Sequence, residues 1–449
     1  MTRLFGTDGV RGLANREITA DLAVQLGEAA GRLLGQEARD NGQKPRAVIG
    51  RDTRISGEFL DAALAAGLAS AGVDVIRIGP VATPTVAYLA ATRTDIDLGV
   101  MISASHNPMP DNGIKFFAKG GYKLDDAIED ELEALISDEW DRPTGAAVGE
   151  IWDRHEVATK SYIDHLVAAC PQRLDGLKIA VDCANGGASA LAPEALRAAG
   201  AEVVVINASP DGRNINDNCG STHPEQVQAI TVSAGADFGV AYDGDADRCL
   251  AVDGEGNLVD GDQIMGMLAL DLSAKGKLRN NTLVVTVMTN LGALLAMHKA
   301  GVKTVQTGVG DRYVLEAMLA GDYSLGGEQS GHVISGEHAT TGDGILTSLL
   351  IANLVKESGM SLAALAAQIP RLPQILVNVG GVDRLAVSHP AVQEAVERAE
   401  EELGETGRVL LRPSGTEPLV RVMVEAASQE QADRVAHELA DVVREHISV

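Results

Sequence analysis

Short apolar runs that end in polar, glycine-bearing loops recur along this chain. "RAVIGRD" (46–52) and "DLGVMIS" (97–103) are two of them. Ahead of both, "ADLAVQLGEAAGRLLGQ" (20–36) sets Leu22, Val24, Leu26, Ala29, Leu33 and Leu34 at helical spacing. The scheme returns in "LKIAVDCANGG" (177–187), "AEVVVINAS" (201–209) and "ADFGVAYDGDADR" (236–248). It returns again in "NTLVVTVMTN" (281–290), "VKTVQTGVGDR" (302–312) and "YSLGGEQSGH" (323–332). Strands alternating with helices predict α/β layering, here in three successive units whose shared pattern suggests copies of one ancestor. The end of the chain differs. "RVLLRPSGTEPLVRVMVEAAS" (408–428) predicts two strands about a Pro-Gly loop, followed by a helix over 428–447. In that helix Ser428 and Gln431 form a capping box, and Ala432, Val435, Ala436, Leu439, Val442 and Val443 make one apolar stripe. Linkers are expected near 142–150, 254–257 and 369–376, which gives domains at 1–150, 151–256, 257–370 and 371–449.

Length agrees with this division, since 449 residues exceed one core and domains run to roughly 100–200 residues. A hydrophobic share of 45% with 49 glycines suits globular α/β structure and not a disordered chain. The net charge of −26 argues against nucleic acid and against an anionic membrane surface as partners. A small anionic substrate stays open, because a local basic pocket can exist in an acidic protein. Cys170, Cys183, Cys219 and Cys249 lack CxxC spacing, so neither a disulfide framework nor a zinc site is expected. "MTRLFGTDGVRG" has no apolar signal core and no run of 18 apolar residues occurs, so the expected location is cytoplasmic. The "NAS" at 207 and "NNT" at 280 are therefore read as chance matches to a glycosylation pattern.

Ligands of open α/β sheets sit beyond the carboxyl ends of the strands, so polar loops that follow apolar strands are where chemistry is expected. In "DGDADR" (243–248), Asp243, Asp245 and Asp247 alternate with small residues that let the chain curl until the carboxylates converge. Three such groups repel one another without a cation, and hard oxygen donors suit Mg²⁺ or Ca²⁺. An EF-hand is excluded, because its Gly and Glu positions hold Arg248 and Gly254. A solvated acidic turn is the alternative. In "SASHNPMPDNGIKFF" (103–117), Asn107-Pro108 marks a turn at a strand end. Ser105 is a candidate nucleophile, Ser103 its structural neighbour, and Lys115 a candidate for charge neutralisation or proton transfer.

Three further loops look like recognition. "FGTDGVRG" (5–12) and "GRDTRISG" (50–57) carry Arg11, Arg51 and Arg54. "RPSGTEPLVR" (412–421) offers Arg412, Ser414, Gly415, Thr416 and Arg421 as a phosphate cradle, with a plain hairpin turn as the alternative. "GEQSGH" (327–332) presents Glu328 and Ser330, a pair suited to sugar hydroxyls. No Walker A loop exists, and "GVGDRY" (308–313) departs from a dinucleotide fingerprint at Tyr313. Together the residues describe metal-assisted phosphoryl transfer on a polyhydroxylated phosphate ester.

These loops, in this order, resemble the α-D-phosphohexomutase superfamily over nearly the whole chain. The wording "SASHNP" and "GEQSGH", where other branches read "TASHNP" and "GEMSGH", is similar to the branch that acts on an amino-sugar phosphate. The resemblance implies three related α/β domains with mixed sheets and a smaller C-terminal α+β domain, arranged around a central cleft. It implies a phosphoserine at Ser105, and one Mg²⁺ per chain held by Asp243, Asp245, Asp247 and an oxygen of that phosphoserine. It places Arg11, His106, Lys115, Arg248 and His332 at the reacting centre. Lys115 and Arg11 on one side and His332 on the other are then candidates for the general acid/base. Glu328 and Ser330 would hold the sugar, and Arg412, Ser414, Gly415, Thr416 and Arg421 the phosphate that is not reacting. The implied reaction interconverts glucosamine 6-phosphate and glucosamine 1-phosphate through a bisphosphorylated sugar. That step feeds UDP-N-acetylglucosamine and cell-wall precursors, and a homodimer is compatible with the family. A phosphoglucomutase or phosphomannomutase with the same chemistry is the near alternative, and a non-catalytic sugar-phosphate binder or a phosphatase the remoter ones. A phosphoserine carries roughly −1.5 to −2, so with three carboxylates and Mg²⁺ the cluster sums to about −2.5 to −3. Nearby cations are then required, and His106, Lys115 and Arg248 are expected to supply them.

Overall fold

The structure, a computed structural model, describes residues 3–6, 8–414 and 419–448. It contains two compact units. The first runs to Met288 and resumes over Val302–Ala367, and the second comprises Thr289–Gly301 and the chain from Gln368 onward.

The first unit holds three sheets. One is built from β1 (Val10–Leu13), β2 (Arg46–Arg51), β3 (Asp74–Pro80), β4 (Leu98–Ile102), β5 (Asp111–Ala118) and β6 (Ile151–Asp153), in the order 1-5-4-2-3-6. Another is built from β7 (Lys178–Asp182), β8 (Glu202–Ile206), β9 (Phe238–Tyr242), β10 (Cys249–Asp253) and β11 (Leu258–Val259), in the order 11-10-9-7-8. The remaining one contains β12 (Thr282–Thr286), β13 (Lys303–Thr307), β14 (Leu325–Gly327) and β15 (Val333–Ser335), in the order 13-12-14-15. All three are mixed and share one device. The last parallel strand (β4, β9 or β14) passes through a polar loop into an antiparallel return strand (β5, β10 or β15). Those loops hold "SASHNP", "DGDADR" and "EQSGH". β4 and β9 are buried along their whole length, which explains their unbroken apolar runs and leaves the first polar side chains at their carboxyl ends.

Two readings change. β6 pairs with β3, so the chain leaves the first sheet after residue 153 and not at 150. The helix Ala20–Leu34 also centres its inward face elsewhere: Leu26 and Ala29 are buried as the spacing suggests, together with Ala23, Gly27, Ala30 and Gly31, while Leu22, Val24, Leu33 and Leu34 lie half-buried. It crosses the helix Gly57–Ser70 so closely that a Cβ on Gly27 would lie 2.6 Å from Leu64 O, and one on Gly67 2.2 Å from Val24 O.

The second unit carries an antiparallel sheet of β16 (Gln374–Gly380), β17 (Arg408–Pro413) and β18 (Leu419–Glu425), in the order 16-18-17. The helix Gln429–Ile447 is capped by Ser428, whose hydroxyl accepts from Gln431 N–H, and Ala432, Val435, Ala436, Leu439 and Val443 are buried as the stripe predicts. Val442 is half-buried. Among the described residues no helix is long and apolar enough to cross a membrane. All four cysteines are free and buried.

Candidate active site

Ser105 sits at the end of β4 with φ +53°, a conformation that costs a non-glycine residue on the order of 1–3 kcal/mol and persists only where its surroundings impose it. Those surroundings are specific. Ser103 Oγ accepts Ser105 N–H at 2.9 Å and donates to Asp52 Oδ2 at 2.6 Å. Arg54, fully buried and paired with Asp52, donates to the carbonyls of Ser105, Asn107 and Pro108. Asn216 Nδ2 donates to two of the same carbonyls, at 2.9 and 3.1 Å. The turn therefore holds Ser105 in place, and the hydroxyl points across to β9, donating to Asp243 Oδ2 at 2.6 Å.

One oxygen from each of Asp243, Asp245 and Asp247 lies within 4.8 Å of the others, and all three residues are buried. The curl comes from Ala246, at φ +55°. Thr83 anchors it, donating its hydroxyl to Asp245 Oδ2 at 2.6 Å and its N–H to Asp245 O at 2.8 Å. Burial, with Asp247 and Asp245 alongside, pushes the Asp243 carboxyl well above its ordinary range. Buried oxygens on Asp245 and Asp247 (Oδ1 in both) have no hydrogen-bond partner among the described residues. Orphaned oxygens and mutual repulsion are what a hard divalent cation relieves, so the residues fit a metal.

Lys115, on β5 opposite Met101, is buried within 2.8 Å of Asp245 Oδ2, 3.0 Å of Asp8 Oδ2 and 3.9 Å of Asp247 Oδ2. Burial works against its charge, but Asp245, Asp8 and Asp247 outweigh it and the pKa is raised. Arg11 pairs with Asp8, and Arg248 Nε lies 4.0 Å from Asp247 Oδ1. His106 is different. Its Nδ1 is 3.3 Å from Ser105 Oγ, yet burial, Arg248 and Arg11 push its pKa down to about 4. Beside an unphosphorylated Ser105 the ring is thus held toward its neutral form.

The third loop brings His332 to the same carboxylates, with Nδ1 3.7 Å from Asp247 Oδ2 and Nε2 accepting Gly342 N–H at 3.1 Å. Burial lowers its pKa, while the hydrogen bond and charge of Asp247 and the charge of Asp311 overcome this and raise it. Glu328 is half-buried and Oε1 accepts Gly310 N–H at 3.0 Å, whereas Ser330 is exposed.

In the second unit, Arg412 and Arg421 stand directly opposite each other on β17 and β18. Like charges so placed are destabilising, and Arg412 is held below its ordinary pKa by burial and by Arg421. An anion would relieve both. Ser414 is buried, and its carbonyl accepts from Arg384 at 2.9 Å. Gly415 and Thr416 lie outside the described residues.

Two arginines read as recognition groups serve the scaffold instead. Arg54 spends its guanidinium on carbonyls, and Arg51 on Glu58 and the Asp52 carbonyl. Conversely, Asp8, Asp52, Thr83, Lys123, Asn216 and Asp311 surround the site without having been singled out. Gly-flanked "TDG" and "GDR" were the available signals for Asp8 and Asp311, and nothing local marks the others.

Four family profiles cover the chain. They are described as phosphoglucomutase/phosphomannomutase alpha/beta/alpha domain I (residues 2–142), domain II (160–256) and domain III (260–372), and the C-terminal domain (376–442). A phosphoglucosamine mutase of Bifidobacterium animalis subsp. lactis is 61% identical over 455 residues, covering 100% of both chains. The chain belongs to the phosphoglucomutase/phosphomannomutase family, of the α-D-phosphohexomutase superfamily. Among solved structures of this fold, a phosphoglucomutase/phosphomannomutase family protein from Burkholderia thailandensis aligns with TM-score 0.82 at 24% identity, over 100% of both chains. The Aspergillus fumigatus N-acetylphosphoglucosamine mutase, described in complex with GlcNAc-6P and magnesium, aligns with TM-score 0.71 at 20% identity, over 98% of this chain and 95% of its own. The family architecture of three α/β domains and a small antiparallel C-terminal domain is the one described above.

Proposed function

We propose that this chain is a phosphosugar mutase, an isomerase that interconverts glucosamine 6-phosphate and glucosamine 1-phosphate by way of phospho-Ser105. The observation that carries the reading is a serine hydroxyl, fixed by its turn, 2.6 Å from one of three converging buried carboxylates. The 61% identity to a phosphoglucosamine mutase supports the amino sugar as substrate.

In the first half-reaction the substrate's C1 hydroxyl attacks the phosphoryl group on Ser105. The O1–P bond forms and the P–Oγ bond breaks. The hydroxyl proton passes to a base and Ser105 Oγ takes up a proton. Lys115 and Arg11 on one side, and His332 on the other, are the groups assigned to this work. The bisphosphorylated sugar then reorients, Ser105 Oγ gives its proton to a base as the Oγ–P bond forms, and the P–O6 bond breaks as O6 takes up a proton. Arg248 stands beside the acidic loop to offset charge, and His106 contacts the nucleophile, with Nδ1 3.3 Å from Ser105 Oγ. Glu328 and Ser330 are assigned to sugar hydroxyls, and the loop of Arg412, Ser414, Gly415, Thr416 and Arg421 to the distal phosphate.

We assign one Mg²⁺ to Asp243, Asp245 and Asp247 with an oxygen of phospho-Ser105, on the all-oxygen donor set and the magnesium described with the Aspergillus mutase. When bound, the ion offsets charge on the transferring phosphoryl group. One task falls to each domain: phosphoserine, metal, sugar and phosphate, in chain order. A cytoplasmic homodimer using a bisphosphorylated sugar as activator completes the reading.

The test begins with mass spectrometry of the purified protein, which is expected to find phosphate on Ser105, and an NMR assay that follows glucosamine 6-phosphate into its 1-phosphate. Full activity in Ser105→Ala would overturn the mechanism. A kcat/KM for glucose 6-phosphate equal to or above that for glucosamine 6-phosphate would move the chain to the phosphoglucomutase branch. Steady phosphate release without isomerisation would make it a phosphatase.

A further inference from the structure

Three charged side chains with no assigned role join the two sides of the site. Asp8 lies in the first loop just ahead of β1, Lys123 follows β5, and Asp311 opens the helix Asp311–Gly321 within "GVGDRY", which departs from a dinucleotide fingerprint. Asp8 is a hub. Its Oδ2 receives Arg11 and, at 3.0 Å, Lys115, while its Oδ1 lies 2.5 Å from Lys123 Nζ. Lys123 pairs in turn with Asp311, whose Oδ2 is 3.6 Å from His332 Nε2. The sequence of contacts runs Asp245, Lys115, Asp8, Lys123, Asp311, His332, Asp247. Charges alternate along it, with the imidazole as the one member that need not be charged. It begins and ends on the acidic loop, and it passes through all three sheets' loops on the way.

We infer that Asp8, Lys123 and Asp311 are positioning residues, which hold Lys115 with Arg11 on one side of the acidic loop and His332 on the other. The inference rests on the mutase reading proposed above. Three features make the bridge more than a surface ion pair. Asp8, Lys123 and Asp311 keep only 13–18% of their side-chain exposure, so water screens them weakly. Lys123 and Asp311 are 188 residues apart, so a tertiary contact and not local helix geometry sets their meeting. Asp311 is itself fixed, because the preceding Gly310 N–H donates to Glu328 and the following Arg312 pairs with Asp126 on the helix Asp126–Leu135. The bridge thus makes the spacing between Lys115 and His332 depend on the third domain's sugar loop being in place.

Misplacing a catalytic group by about 1 Å can cost on the order of 100-fold in rate. Asp8→Asn, Lys123→Met and Asp311→Ala are therefore each expected to lower kcat by roughly 10- to 100-fold while KM for glucosamine 6-phosphate changes by less than about 3-fold. Lys123→Arg, which keeps both pairings, should recover much of the loss. The sharper measurement is a double-mutant cycle. Because part of the effect of Asp8 runs through Lys115, Asp8→Asn added to Lys115→Met is expected to cost clearly less in kcat than Asp8→Asn alone. Fully additive losses, or wild-type kcat in both Asp8→Asn and Asp311→Ala, would overturn the inference. Lys123→Met leaves two carboxylates facing each other; where it does not fold, Asp311→Ala carries the test, since Lys123 keeps Asp8. A crystal structure of Asp311→Ala supplies a readout without activity. Lys123 should retreat to Asp8 and the His332 ring should turn from Asp247, and an unmoved ring would count against the bridge. A wild-type protein without mutase activity would overturn the functional reading alone, and the crystal structure would still decide the bridge.

Discussion

Arg54 ties the nucleophile's turn to the core through three carbonyls, and among the described residues Asp52 is its ion-pair partner. Breaking a buried pair by removing one partner costs about 3–5 kcal/mol, because the other charge is left behind. Arg54→Met is expected to lose stability of that order in urea unfolding, and to lose Ser105 phosphorylation along with it. A loss under about 1 kcal/mol, the range of exposed pairs, would mean the turn is held by other contacts. Asp343 makes a second residue-scale prediction, with a defined sign. Its carboxylate caps the helix Gly344–Ser358, accepting from Leu346 N–H at 2.9 Å and from Tyr162 Oη at 2.8 Å. Burial nevertheless raises its pKa from 3.8 to about 6. The folded state then holds a proton that the unfolded chain releases near pH 4, so stability falls as pH rises from about 4 to about 6. The loss is about 3 kcal/mol, complete above that window. Asp343→Asn keeps the cap and removes the proton. Its melting temperature relative to wild type should climb across pH 4–7, and parallel curves would refute the assignment. Ser105 and the three aspartates were legible because a reactive type at a strand end is a local fact. The roles of Arg54, Lys123 and Asp311 were not, because sequence names a side chain without saying which way it points or what folds against it.

At the scale of elements, the apolar runs located most strands, and the capping box and stripe located the last helix. The face of the first helix was legible only in part. Helical spacing picks out Leu26 and Ala29 correctly but also favours Leu22, Leu33 and Leu34, whereas the structure centres the buried face on Ala23, Gly27, Ala30 and Gly31, whose small size allows the close crossing with Gly57–Ser70. This crossing reverses an ordinary expectation. Alanine for glycine within a helix usually stabilises by roughly 0.5–1 kcal/mol. At Gly67 the new Cβ would meet a backbone oxygen at 2.2 Å, which no rotamer change relieves. Gly67→Ala is therefore expected to lower the melting temperature, with an overpacking cost of about 1–3 kcal/mol. A rise would show that the helices separate freely. The shared strand-loop-return device was also hidden, because three copies of one topology carry three unrelated loop sequences. Only register and strand direction reveal that "SASHNP", "DGDADR" and "EQSGH" occupy the same place in three sheets.

For the whole molecule, that repetition is what assembles the site. Each sheet delivers one loop, and none is sufficient alone: Ser105 needs Asp243, Asp245 needs Lys115 and Thr83, and Asp247 faces His332. The acidic loop is the common neighbour, and two of its buried oxygens lack hydrogen-bond partners among the described residues. A cation bound there should therefore stabilise the three-sheet unit as a whole, and by mass action, about 2.7 kcal/mol when free ion reaches 100 times its Kd. Mg²⁺ added to chelator-treated protein is expected to raise the melting temperature in a saturable way. It should also slow amide exchange together in 103–111, 243–248 and 328–332, although only the second loop holds the ion's carboxylates. Asp245→Asn and Asp247→Asn should each shrink the shift, and the double variant should abolish it. Slowed exchange confined to 243–248 would mean that the loops are docked independently of the ion. A shift that survives the double variant would place the cation elsewhere.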